Sequence, residues 1–234
     1  GKLEAAENNL RNILRIFPEH IDAWHHLALI LEDKGDDLLA WACTREAVRL
    51  GLAALPKKFS WNHHLEWGFL ENRPFLRAYY ALGLRLFQRE DLNGAQEIFT
   101  QLLSVNPNDN QGSRYMLLAC LMASENWKEV RQLIHRYKDE VSPDMSYAEV
   151  LVLLAFGEDN KAEKCLRNAV EQHPKVAREL LKSRHTRPKS HFPGTITVGG
   201  DDEAFDYWEQ NKAYWAKNTR AYALLKQVGC TLKM

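Results

Sequence analysis

Nine histidines and four cysteines are the residues of this chain with the most obvious capacity for chemistry. His25-His26 and His63-His64 are adjacent pairs. Neighbours on a helix point about 100° apart, so such pairs rarely close on one ion as residues four apart do. They read as surface or interface histidines, and no metal is expected. Cys43, Cys120, Cys165 and Cys230 are scattered, with no CxxC pair, which argues against a zinc site or a disulfide framework. The first three sit in apolar helical contexts, where a thiol serves as a small core residue. That usage fits a reducing compartment, the cytoplasm. Asp33, Asp36 and Asp37 cluster at a turn, where helix capping accounts for them. No GxGxxG, P-loop, GxSxG or HExxH is present. The expectation is a protein that is not an enzyme and needs no cofactor.

Charge adds one local feature. The 31 basic residues cancel the 31 acidic ones, so bulk charge gives no argument for nucleic acid or an anionic membrane. Within Lys175–His191, however, Lys175, Arg178, Lys182, Arg184, Arg187 and Lys189 face one acid, Glu179. Such a run is a solvated face or linker, or else a contact for an acidic or nucleic-acid partner. The absence of interleaved aromatics counts against single-stranded nucleic acid. The apolar run Tyr115–Ser124 is too short to cross a bilayer, so no membrane partner is expected.

Helices must position these groups. Leucine and alanine outnumber valine, isoleucine and threonine by more than two to one, and glycine and proline are sparse. An apolar helix pattern is already running at Gly1, as in a fragment of a longer chain. Ala6-x3-Leu10 leads to Pro18, Ala95-x3-Phe99 to Pro107 and Ala162-x3-Leu166 to Pro174, each alanine 12 residues before its proline. Ala40 stands 34 residues after Ala6, and Ala95 and Ala162 keep that beat once a 21-residue insertion and a one-residue slip are allowed.

This pattern resembles the tetratricopeptide repeat (TPR) family, whose signature is W-x2-L-G-x2-Y, then A-x3-F, then P, over about 34 residues. Tyr79-x2-Leu82-Gly83-x2-Leu86 followed by Ala95, Phe99, Leu102 and Pro107 matches best; Trp24-x2-Leu27-Ala28-x2-Leu31 with Gly35, Ala40 and Ala47 is a second copy. Asn110–Tyr137 and Asp144–Pro174 are degenerate copies. Asn106–Gly112 and Asn72–Ala78 are also similar to stretches of little-described bacterial TPR proteins. Some of those carry a Cys/His-rich zinc tail that this chain lacks.

The resemblance implies an all-α fold, a right-handed α-solenoid of antiparallel helix hairpins over residues 1–182. The insertion lies at about 53–75. Residues 183–200 read as a Gly/Pro linker with Thr195–Val198 extended. Residues 201–230 read as a helical cap, with Asp201 and Asn218 as N-caps and Gly229 as the stop.

The resemblance also implies a concave groove lined by the first helix of each hairpin, for a peptide or partner protein. Carried onto this chain, the lining is Asp22, His25, Leu29 and Asp33, then Arg77, Tyr80, Leu84 and Gln88, then Gln111, Arg114, Leu118 and Met122. Leu29, Leu84 and Leu118 occupy the positions at which chaperone-tail-binding members place a clamp asparagine, so that ligand class is not implied. The partner-binding candidates are Arg77, Tyr80, Leu84, Gln111, Arg114 and Leu118. The leucines would bury apolar anchors and the arginines would pair with acids; the alternative is that the leucines pack internally. In the insertion, Trp61, Trp67 and Phe69 either fold back on the repeats or form an exposed interface for a partner or second copy. Oligomeric state is not fixed by the sequence.

Overall fold

The computed structural model of the chain describes residues 1–189 and 194–231, with side chains up to residue 229. His191 of the basic stretch, Pro193 of the linker and the Cys230 thiol lie outside the described residues. Every regular element among the described residues is helical. The chain divides into two compact units, Gly1–Asn126 and Trp127–Met234.

The first unit holds α1 (Lys2–Ile16), α2 (Ile21–Asp33), α3 (Asp37–Ala54), α4 (Arg73–Gln88), α5 (Leu92–Val105) and α6 (Ser113–Ala123). Consecutive helices pack on one another, and α2 also packs on α4. Pro18 and Pro107 follow the ends of α1 and α5 by two residues, as a residue that cannot continue a helix must. The small residues of the repeat pattern lie where two backbones approach. Ala28, Ala40 and Ala95 are at most 1% exposed. A Cβ on Gly83 would sit 2.8 Å from the Phe99 ring and 3.0 Å from Ile98, so only glycine lets α4 close onto α5.

One turn recurs. Gly35, Glu90, Glu125 and Gly157 all have left-handed backbones, with φ of 79°, 63°, 53° and 73°. In each case the following amide reaches back to the carbonyl five residues earlier: Asp36 to Leu31, Asp91 to Leu86, Asn126 to Leu121 and Glu158 to Leu153. This is a Schellman closure. Asp36 and Asp91 then cap the next helix by accepting from Leu39 N and Gly94 N.

The insertion extends from the end of α3 through a 3-10 turn at Leu70–Asn72 and folds back on the first unit. Leu65 N donates to Val105 O, and Ser104 Oγ donates to Trp61 O at 2.6 Å.

The second unit holds α7 (Trp127–Arg136), α8 (Pro143–Ala155), α9 (Asp159–Gln172), α10 (Pro174–Leu181), α11 (Asp201–Lys217) and α12 (Thr219–Thr231). Helix α8 is buried on almost every side, packed by α7, α9 and α12. Pro174 both ends α9 and opens α10, a short helix that the basic composition of this stretch conceals. Trp215 of α11 is 1% exposed, lies edge-on to Tyr147 of α8 and donates its indole N–H to Tyr207 at 3.0 Å. Asn218 caps α12 as expected, accepting from Ala221 N. Two boundaries differ. Gly200, not Asp201, is the N-cap of α11, and α12 runs through Gly229 to Thr231. Thr195–Val198 forms no strand.

Candidate partner-binding face

The candidate face of the first unit is built on α2 and α4, held in one register by two ion pairs. Arg77 grips Asp22 with both ends of its fork, Nε to Oδ1 at 3.2 Å and Nη2 to Oδ2 at 2.6 Å. Arg85 donates from Nη2 to Glu32 at 2.8 Å and to Ala28 O at 3.3 Å. The first pair joins residues 55 apart in sequence. With α2 packed on α4, that offset gives Leu29 and Leu84, and His25 and Tyr80, matching positions on the two helices between the ion pairs. Leu29 is 39% exposed, and Tyr80 and Leu84 are half-buried. Phe99 lies edge-on to the Tyr80 ring at 5.4 Å, so the phenol is fixed from beneath. Burial raises the Tyr80 pKa, keeping it a neutral hydroxyl. The result is an apolar seam with Arg77–Asp22 at one end and Arg85–Glu32 at the other.

His25 sits in the floor of this seam rather than on its surface. It is 7% exposed and its Nδ1 has no hydrogen-bond partner. Burial first, then His26, lowers its pKa to about 4, so the ring is neutral at physiological pH.

Four further residues assigned to the groove take structural roles instead. Leu118 and Met122 are 3% and 2% exposed and belong to the core, because α6 is apolar on nearly all sides. Arg114 is committed to Asp109, Nη1 to Oδ2 at 2.7 Å, and lies over the Tyr115 ring. Asp109, with φ of 47° and 6% exposure, binds the first amides of α6 at Ser113 and Arg114. Arg114 thus neutralises a buried capping carboxylate. Gln111 donates to Leu76 O at 3.2 Å, which ties the turn before α6 to α4. Arg77, Tyr80 and Leu84 are brought together; Gln111 and Arg114 serve the adjoining turn; Leu118 is internal.

Two of the three insertion aromatics fold back. Trp61 stacks on Tyr79 with centroids 5.1 Å apart and planes 14° from parallel, and Phe75 continues the stack. Trp67 lies under the Arg73 guanidinium at 5.2 Å, and its carbonyl accepts from Arg73 Nε. Phe69 remains 59% exposed beside Leu70 at 67%.

The basic stretch is largely tied to its own unit. Lys175 pairs with Asp201 at 3.1 Å and Arg187 with Glu209 at 3.5 Å, while Lys182 and His185 both bind Glu179. His63 Nδ1 lies 2.9 Å from Ser60 Oγ. Among the described residues no group of three His, Cys, Asp or Glu side chains is placed to hold a metal ion. No helix among them is long and apolar enough to cross a membrane.

The helix hairpins have a solved counterpart. The crystal structure of YrrB, a TPR protein with an unusual peptide-binding site, superposes with a TM-score of 0.53 over 94% of this chain and 90% of YrrB, at 15% identity. That likeness establishes the TPR-like fold. Among curated proteins, ribosome quality control complex subunit 1 of Saccharomyces cerevisiae is 27% identical over 177 residues. The match takes in 72% of this chain, which spans only 24% of that relative's length. The family model described as transcriptional repressor TCF25 matches residues 3–228, nearly the whole sequence, and the chain belongs to that family.

Proposed function

We propose that this chain is a non-enzymatic interaction module that holds a segment of a partner protein along the α2–α4 seam. The observation that carries the reading is the juxtaposition of Leu29, Tyr80 and Leu84 at the surface, bracketed by Arg77–Asp22 and Arg85–Glu32. An aliphatic side chain of the partner fits over the leucines, and a partner carboxylate can exchange with Asp22 at the half-buried Arg77 fork. YrrB is described as binding a peptide, and the yeast relative as a complex subunit; both support an assembly role, which we place in a cytoplasmic, ribosome-associated complex. The alternative, nucleic-acid contact through Lys175–Lys189, is weaker, because four side chains of that stretch already bind Asp201, Glu179 and Glu209.

A photo-crosslinking amino acid at position 29 tests the seam. The full chain carrying it is irradiated in an extract of its native host, with position 38 of α3, itself 78% exposed, as the comparison. One protein crosslinked from position 29 and not from position 38 is the expected result. Equal products from both positions, or none from position 29, overturn the proposal.

A further inference from the structure

The second unit carries a cleft of about 790 Å³ bounded by α7, α8 and α9, and no sequence motif announces it. Its walls are two rails of basic side chains. On α7, Lys128, Arg131 and His135 recur at helical spacing, and Lys138 extends the row beyond the helix end; on α9, Lys161 and Lys164 face them. Arg131 and Lys161 both bind Glu158, at 2.7 Å and 2.5 Å, and Arg131 also covers the Phe156 ring. Lys128, Lys138 and Lys164 are exposed and make no ion pair. Three free ammonium groups therefore stand on the two sides of one depression.

The floor is of a different character. Met145, Val152 and Leu153 of α8 close it at no more than 8% exposure, and Ile134 of α7 is half-buried at the side. Glu149 stands in the middle, with Cys165 Sγ 3.5 Å from its Oε2. Burial raises the Cys165 thiol to about 12, so it stays protonated and donates to Glu149 rather than repelling it.

We infer that this cleft docks an acidic segment of a partner protein, its carboxylates on Lys128, Lys138 and Lys164 and one aliphatic side chain against Ile134 and Leu153. The site is separate from the α2–α4 seam in residues and in chemistry. Charge complementarity argues for an acidic occupant, since five Lys and Arg side chains line the cleft against two glutamates. Glu149 argues for a peptide over a nucleic acid. A peptide brings backbone N–H groups that a central carboxylate can accept, whereas a phosphate backbone brings only like charge. The phenol ring in the lining, Tyr137, has the Arg136 guanidinium 5.5 Å from its centre and offers no open platform for a base.

The probe is a short fluorescein-labelled peptide of glutamate and aspartate with two central leucines, titrated with the full chain by fluorescence anisotropy at low salt. Lys128→Glu/Lys164→Glu is expected to weaken binding by roughly 10-fold or more, while Lys57→Glu/Lys58→Glu, the same charge change at exposed lysines of the other unit, leaves it unchanged. Replacing the leucines by serines should also weaken it. Circular dichroism checks folding; if the first variant loses helix, Lys138→Gln/Lys164→Gln replaces it, with a smaller loss expected. Equal losses in the two lysine pairs, an oligouridylate that binds as tightly as the peptide, or no binding by the parent chain would overturn the inference. A Leu29→Asp variant should bind the probe normally, so this test and that of the α2–α4 seam fail independently.

Discussion

The Arg85–Glu32 pair is unequal, and its inequality predicts the outcome of a double-mutant cycle. The Arg85 side chain is 8% exposed, whereas that of Glu32 is 36% exposed. Nearly all the desolvation falls on the guanidinium, which costs several kcal/mol and is offset by Glu32 at 2.8 Å and the longer contact to Ala28 O. Removing Glu32 leaves a buried cation with one 3.3 Å carbonyl. For a fully enclosed pair the cost is about 3–5 kcal/mol. Water reaches the exposed side of Glu32, so Glu32→Ala should cost less, about 2–3 kcal/mol. Arg85→Met removes the charge, keeps an unbranched apolar chain and leaves Glu32 in water; it should cost under ~1.5 kcal/mol. The double variant should resemble Arg85→Met alone, a coupling of about 2 kcal/mol. Amide hydrogen exchange along α4 reads the local free energy directly. Additive effects, or an Arg85→Met cost equal to that of Glu32→Ala, would refute the claim that the buried charge dominates.

Three other outcomes follow from the same geometry. His25 is neutral in the fold with a pKa of about 4, against 6.5 unfolded, so the unfolded chain takes the proton first; stability of α2 is complete above pH 6.5 and falls by about 3 kcal/mol as the pH drops to 4. His26 and Asp22 on α2 and Arg77 and Arg85 on α4 surround the ring, and His25→Phe should flatten the profile of α2 exchange between pH 7 and 5. The measurement must be local, because burial raises Asp144 of the other unit to about 6, which adds stability as the pH falls from 6 toward 3.8. Glu90→Gly, at φ of 63°, should stabilise the first unit by about 1 kcal/mol in urea unfolding, because the left-handed turn no longer strains a Cβ. Deleting Asp201–Met234 removes Trp215 from Tyr147 and strips α8, α9 and α10 of their cover; a lower melting temperature and aggregation are expected, and a truncated chain as soluble and stable as the parent would show that the pair is not a cap.

The hairpins were legible because their signals are local. Ala28, Ala40, Gly83 and Ala95 mark close helix approaches, and Pro18 and Pro107 mark helix ends, all at a fixed beat. The candidate face was legible only in part. Tyr80 and Leu84 follow from register, but the assignment of Arg114 failed on Asp109, whose left-handed turn and burial are tertiary facts. Leu118 could not be oriented, since a helix apolar on all sides has no periodicity to read. Trp61 and Trp67 lie outside the repeat, where composition does not say whether an aromatic faces water or Tyr79. Arg85 gave no signal, as one arginine in a helix is ordinarily solvated. The lysine rails of α7 and α9 look like solvated faces until α8 is seen between them. The repeat motif led to the TPR fold and not to the TCF25 family, because its residues specify packing and any member of the fold shares them.

The recurring left-handed turn has a bearing on how a chain of this kind can change length. From Gly35 to Glu90 is 55 residues, from Glu90 to Glu125 is 35 and from Glu125 to Gly157 is 32, yet each turn keeps its closure to the carbonyl five residues back. All the length variation falls outside that closure. An added residue inside it would separate donor from acceptor and, at Gly35 and Glu90, displace the capping aspartate with them. An addition after α3 meets no such constraint, and the extra segment there is tethered by two hydrogen bonds to the end of α5. The closed turn inside a hairpin is therefore the part that tolerates no added residue, and the joint after α3 the part that accommodates many. A foreign domain spliced at the exposed Asn62–His64 segment should leave every hairpin closed, whereas one residue inserted beside Glu90 should unlatch the hairpin on which Tyr80 and Leu84 are displayed.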